Sequence, residues 1–211
     1  MNQNRQMRGF IAIPLTEADR QQLQLAVTQI KKQLSADEQQ QVRWVPPENY
    51  HMTLYFLGNG LSEARIQRIQ KGMKAWLQAG WTSFEVEPIR LEAFPSAQRP
   101  RHWVVRLENV TPLQALSQRV LKGVEALGFP IPRQTFIPHI TVAHFKKGGL
   151  LTEAQRAIKS MSAIKVQQVC LFKSELKPSG AVYKPLYCVP STNLHATDVI
   201  VPKAAVDECK E

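Results

Sequence analysis

The sequence predicts an α+β fold of two pseudo-symmetric lobes, each an antiparallel sheet with helices on its outer face and with a cleft between the lobes. Three observations carry that expectation. Strand-like runs alternate with amphipathic helical runs along nearly the whole chain. The tetrapeptide His51-Met52-Thr53-Leu54 returns as His139-Ile140-Thr141-Val142. The segments around the two tetrapeptides also follow in similar order, at a spacing too long for a solenoid, so duplication of a half-domain is the better reading.

Residues 10–15 form an apolar run that reads as a buried first strand, ended by Pro14, whose missing N–H cannot join a ladder. Thr16 with Asp19 three residues on makes a loose N-cap, and Leu23, Val27, Ile30 and Leu34 share one face, so a helix is expected over residues 17–36. Residues 42–45 are a short extended piece, broken by Pro46-Pro47. The first histidine strand follows, with His51 and Thr53 on one face and Met52 and Leu54 on the other. Gly58-Asn59-Gly60 signals a turn after it, and Ile66, Ile69, Met73 and Leu77 stripe a second helix.

Two extended segments, 83–94 and 102–107, flank a loop that carries Arg99 and Arg101 among prolines. Thr111-Pro112 reads as an N-cap followed by proline at the first helical position, and Leu113, Leu116, Val120 and Val124 run along the third helix towards Gly128. A proline-broken stretch, 129–138, leads into the second histidine strand, which Gly148-Gly149 closes. Thr152 with Gln155 caps a short fourth helix to about residue 160, residues 164–171 form a strand, and Pro178-Ser179-Gly180 turns a final hairpin. Residues 1–190 thus make a single bilobal domain, and residues 191–211, without a clear period, a C-terminal extension.

A chain of 211 residues with 44% hydrophobic content can bury a sizeable core and is not a disordered one. Its 27 lysines and arginines exceed 17 acidic residues, and the net charge of +10 favours polyanionic partners: nucleic acid, nucleotides or an anionic surface. The same excess also serves solubility, so charge alone does not choose. Cys170, Cys188 and Cys209 are odd in number and form no C-x-x-C pair, so neither a disulfide framework nor a zinc site is expected, and a reducing, cytoplasmic setting fits. No apolar run approaches the ~20 residues of a membrane span. A soluble monomer without membrane association is the expectation.

Two strands that each present an imidazole and a hydroxyl to one surface can bring two histidines face to face across a cleft, a recognisable acid–base arrangement. With their surroundings, these residues resemble the 2H phosphoesterases, and within them the RNA 2′,3′-cyclic phosphodiesterases also described as 2′-5′ RNA ligases. The resemblance rests on both H-x-T-x tetrapeptides and on Trp44 to Asn49, Tyr55 to Gly58, Arg133, Phe136, Pro138, Ser174, Gly180 and Tyr183. A single H-x-T-x carries almost no information; two in order, with their flanks, carry much more.

The resemblance implies His51 as proton donor and His139 as proton acceptor in opening a 2′,3′-cyclic phosphate, with the 3′-oxygen leaving and a 2′-phosphate as product. Thr53 and Thr141 can donate to the non-bridging oxygens as charge builds up. No metal and no other cofactor is then required. Substrate-binding candidates are Arg133 for phosphate, Phe136 or Trp44 for stacking on a base, and Tyr183 for lining the cleft. Trp44 and Phe136 read equally well as core anchors. The family commonly has arginine where His144 stands, and strict alternation turns His144 away from His139 unless a bulge intervenes.

The expected partner is RNA ending in a 2′,3′-cyclic phosphate, tRNA fragments and small cyclic nucleotides included. Two other readings stay open: an RNA-end-binding protein without catalysis on the same scaffold, and a phosphodiesterase of a small cyclic nucleotide. Ligation of 2′-5′ ends is the same chemistry in reverse. His102, at a strand start, and His195, in the tail, have no partner motif and carry no assigned role. The five-residue step from His139 to His144 fits no helical zinc spacing.

Overall fold

The computed structural model describes residues 7–77, 80–146, 161–177 and 180–193. The described strands are β1 (Met7–Pro14), β2 (Val42–Trp44), β3 (His51–Leu61), β4 (Phe84–Val86), β5 (Pro88–Phe94), β6 (His102–Leu107), β7 (His139–Phe145), β8 (Ile164–Val166), β9 (Gln168–Lys177) and β10 (Gly180–Pro190). The helices are α1 (Glu17–Gln33), α2 (Ala36–Gln40), α3 (Glu63–Leu77) and α4 (Thr111–Ala126). The expected short fourth helix, residues 178 and 179 of the hairpin turn, His195 and Cys209 lie outside the described residues.

Eight strands form one curled antiparallel path in the order β10-β9-β1-β3-β7-β6-β5, with β2 also on β7. Its two halves, β10-β9-β1-β3 and β2 with β7-β6-β5, meet at one residue pair, Met52 opposite Ile140. That pair lies inside the two histidine motifs. The duplication is visible in the connections: β1, α1, β3, α3, β4 and β5 are echoed by β6, α4, β7, β8 and β9. Each half gives its last strand to the other, since β5 pairs with β6 while β9 pairs with β1. The short strands just before them, β4 and β8, pair with each other in a separate ribbon.

The alternation of β3 and β7 sends Met52, Ile140 and Val142 into a core shared with Leu23, Val27 and Ile30 of α1, Ile66, Ile69 and Met73 of α3, and Val120 and Val124 of α4. Met52 is 1% exposed and Ile140 0%, so each contributes about 1.5–3 kcal/mol through burial. Helices α3 and α4 approach closely because Gly123 leaves room for Trp76: a Cβ there would overlap the indole ring.

Local details depart from expectation for identifiable reasons. Thr16 caps α1 by accepting from the Asp19 N–H, but the helix ends at Gln33, where Leu34 turns extended and Ser35 opens α2 with a capping box to Glu38. α4 begins at Thr111, so Val110 is its cap and Pro112 its second residue. Gly58 and Gly60 do not end the strand. Their φ values of 87° and 82° accompany shifts of register against β1, and β3 continues to Leu61.

The cysteine expectation also needs correcting. Cys170 on β9 stands directly opposite Cys188 on β10, with Cα atoms 4.1 Å apart, and the two form a disulfide. Spacing rules for cysteine motifs miss it, because a cross-strand pair is set by register rather than by sequence separation. Beyond β10, the Ser191 N–H donates to the Gln167 carbonyl (2.8 Å) and the Thr192 N–H to the Trp81 carbonyl (2.9 Å), so residues 191–193 lie on the body.

Candidate active site

His51 opens β3 and His139 opens β7, and each imidazole is set in the same way. His51 Nδ1 lies 2.7 Å from the Asn49 carbonyl oxygen, and His139 Nδ1 lies 2.7 Å from that of Ile137. A carbonyl only accepts, so Nδ1 carries the hydrogen in both rings and Nε2 is left for chemistry. On β3, His51 Nε2 is 3.1 Å from Thr53 Oγ1, the hydroxyl two residues along the same face. The backbone before His51 is anchored across the sheet, where Asn49 Nδ2 donates to the Ala181 carbonyl of β10 (2.7 Å).

Because Met52 faces Ile140 in an antiparallel pair, the motifs cross: His51 is set against Thr141, and Thr53 against His139. A cavity of about 190 Å³ opens on this face, lined by His51, Thr53, Thr141, His144, Ser174 and Tyr183. Arg8 and the half-exposed Phe56 also line it, with the Arg8 guanidinium 4.9 Å from the centre of the Phe56 ring.

Aromatic walls set the electrostatics. Phe10 lies 4.8 Å and Tyr183 5.1 Å from the His51 ring, centre to centre. Burial pushes His51 down to about 4, against the pull of the Asn49 carbonyl and with a further push from the charge of His139. His139 stacks on Phe94 at 4.6 Å and is lowered mainly by burial; the Ile137 carbonyl opposes this, Arg106 adds to it, and Glu92 opposes it. Glu92 is itself bound to Arg90 (2.8 Å) and Arg106 (3.1 Å). Burial raises Tyr183, which therefore keeps its proton at neutral pH as a donor facing the cavity, although Arg8 and Arg43 act in the opposite sense.

The sequence-derived candidates divide. His51, Thr53, Thr141 and Tyr183 meet around this cavity, and His139 is close enough for its charge to act on His51. Arg133 and Phe136 line a different hollow of about 480 Å³ against Gln114, Ser117 and Leu121 of α4. Trp44 packs at the core edge between Lys31, 4.9 Å from its ring, and Trp103 at 5.5 Å.

Strict alternation misplaces His144. Along β6 and β7, Trp103 pairs with Ala143 but Val104 pairs with Thr141, so the ladder slips at Val142. Val142 and Ala143 are both buried, and His144 comes round to the face of His139 and Thr141. It lines the cavity, and its Nδ1 is 2.9 Å from Nδ1 of His102. Nothing in the residue types around Val142 signals this slip. Among the described residues no cluster of three or more His, Cys, Asp or Glu side chains is placed to hold a metal ion. No described helix is long and apolar enough to cross a membrane.

Comparison with known proteins agrees with this geometry. The profile of the 2′-5′ RNA ligase superfamily matches residues 19–177. The RNA 2′,3′-cyclic phosphodiesterase of Methanothermobacter thermautotrophicus is 29% identical over 184 residues, covering 84% of this chain and 95% of its own length. The Archaeoglobus fulgidus protein of the same name is 30% identical over 183 residues, covering 85% and 98%. Among solved structures, TT0787 of Thermus thermophilus superposes with a TM-score of 0.72 at 26% identity, over 90% of this chain and 100% of that one. E. coli LigT complexed with 3′-AMP shares the fold, with a TM-score of 0.67 at 20% identity over 89% of this chain and 99% of that one. By profile, by relatives and by the crossing of its two H-x-T motifs, the chain belongs to the 2′-5′ RNA ligase superfamily of 2H phosphoesterases.

Proposed function

We propose that the protein hydrolyses RNA 2′,3′-cyclic phosphodiester ends to 2′-phosphomonoesters by acid–base catalysis with two histidines. The observation that supports the reading is the crossed pair of motifs, which sets each imidazole against the hydroxyl of the opposite strand; His51, Thr53 and Thr141 line one cavity, and His139 is close enough for its charge to act on His51. The names of the relatives supply the substrate class.

In this mechanism His139 Nε2, unprotonated because Nδ1 holds the ring hydrogen, takes a proton from water as it attacks phosphorus. His51, protonated at Nε2, gives its proton to the departing 3′-oxygen. Thr53 and Thr141 donate to the non-bridging oxygens, where negative charge grows. Burial by itself keeps His51 neutral, so the bound phosphate must raise it; an anion beside an imidazole favours the charged ring. Binding and activation of the acid are thereby coupled. With an RNA 5′-hydroxyl in the place of water, the same groups would join two ends through a 2′-5′ linkage.

One chain carries both motifs, so a monomer supplies a whole site. The net charge of +10 suits an RNA end as partner, tRNA fragments included. A cytoplasmic setting belongs to the same proposal and rests on that substrate class; with Cys170 and Cys188 joined, the cysteines lend it no support.

Arg133, Phe136 and Trp44 remain candidates for contacts with nucleotides beyond the terminal phosphate. The test is incubation of the EDTA-treated protein with RNA ending in a 2′,3′-cyclic phosphate, followed by identification of the end group. The expected product is a 2′-phosphate, with turnover abolished in folded His51→Ala and His139→Ala variants. A 3′-phosphate product, or turnover that survives both substitutions together, would overturn the assignment.

A further inference from the structure

The Nδ1 atoms of His102 and His144 lie 2.9 Å apart, with the rings edge-on at 86° and their centres 4.9 Å apart. Two imidazole nitrogens approach this closely when one carries a hydrogen and the other offers a lone pair. The pair therefore shares one proton along that line. When His102 donates, the hydrogen of neutral His144 sits on Nε2; when His144 is protonated it donates from both nitrogens, and His102 accepts at Nδ1 with its own hydrogen on Nε2.

The surroundings of the pair are cationic or neutral. His144 on β7 is opposite His102 of β6 on one side and Arg43 of β2 on the other. Arg101 precedes His102 in the chain, and His139 acts on it from β7. Around the cavity stand His51 of β3 and Arg8 of β1, with the neutral hydroxyls of Ser174 and Tyr183 on β9 and β10. Burial lowers both members of the pair, His144 to about 4, and the named electrostatic contributions come from imidazoles and guanidinium groups, with no carboxylate among them. An anion in the cavity would supply the countercharge that these groups lack.

We propose that His102 and His144 act as a proton-sharing pair that presents an N–H to the phosphate of a bound substrate, so that anion binding at this site takes up a proton. His144 lines the cavity beside His51, Thr53 and Thr141, whereas His102 acts through it as a positioning residue. This rests on the phosphodiesterase reading for the identity of the anion, but not for the linkage itself. A guanidinium at position 144 would hold phosphate with constant strength. The imidazole pair makes the grip firm at lower pH and lets it slacken as pH rises.

The test uses inorganic sulfate, a dianion whose charge does not change between pH 5.5 and 7.5, titrated into the full chain by calorimetry with no turnover involved. One linked proton gives at most about tenfold per pH unit, and for the wild type we expect affinity to rise about tenfold or more as pH falls from 7.5 to 5.5. His51 and His139 contribute to that rise, so the decisive comparison is with His144→Gln and His102→Asn, where it should be at least threefold smaller. His144→Arg should bind sulfate as tightly at pH 7.5 as the wild type does at pH 5.5. Undiminished pH dependence in folded His102→Asn and His144→Gln proteins, or a wild type whose affinity ignores pH, would overturn the proposal. Loss of cyclic phosphate hydrolysis with the sulfate linkage intact would strike only at the phosphodiesterase reading.

Discussion

The β3 and β7 halves contain the same H-x-T device in two different settings. His51 is enclosed by Phe10, Phe172 and Tyr183, and its Nε2 meets the hydroxyl of its own motif. His139 stacks on one ring, Phe94, and sits near the Arg106–Glu92 ion pair. After its motif each strand slips, β3 at Leu54, where Ile11 pairs with Tyr55 but Ala12 with Thr53, and β7 at Val142; the slip brings Phe56 to the cleft in one half and a third imidazole, His144, in the other. Duplication supplied two equivalent groups; what lies behind each ring can make one an acid and the other a base.

The sharpest break of that comparison uses the leaving group. His51→Ala and His139→Ala should each lower kcat by about 10²–10⁴-fold on the cyclic phosphate. A phosphodiester with an activated aryl leaving group needs no acid, so it should restore much of the rate in His51→Ala and none in His139→Ala. Equal rescue of both variants would dissolve the assignment of donor and acceptor. The wild-type profile of kcat/KM against pH should be bell-shaped, with apparent pKa values that belong to the coupled pair.

Next in size is acid sensitivity. His51 ionises near 4 when folded and near 6.5 when exposed, so its contribution of about 3 kcal/mol is fully present above pH 6.5 and is lost as pH falls through about 4. Urea unfolding at pH 7 and pH 4.5 should show this loss, and His51→Asn should remove much of it. Exchange of Thr53 or Thr141 for valine should then cost roughly tenfold in kcat with KM little changed, as expected for a donor used mainly in the transition state. The smallest effect is expected at the hollow beside α4, where Arg133→Ala should change KM for a short cyclic-phosphate substrate by less than about threefold, a modest surface contact at most. A larger change would bring that hollow into the substrate path.

Residue identities made part of this legible. Met52 and Ile140 alternate with His51, Thr53, His139 and Thr141, so the sequence itself assigns core and cleft faces. The stripes of α1, α3 and α4 were equally plain, because helical spacing brings Leu23 and Val27, or Val120 and Val124, to one side. Register was not legible. The slip that turns His144, the pairing that joins Cys170 to Cys188 and the passage of β3 through Gly58 and Gly60 all depend on which residue faces which across a ladder. Nor does local pattern reveal that the halves exchange strands, since a strand's sequence does not name the edge it will join.

That exchange has a consequence for biosynthesis. β1 leaves the ribosome well before one of its two neighbours, β9, which begins only at Gln168, so an open edge of the N-terminal half must wait for the segments between them to appear. Neither half is a unit that could be cut out and kept whole, because cleavage between β5 and β6 would leave each piece holding a strand that belongs with the other. The scaffold is duplicated in plan, yet each half has a strand paired within the other.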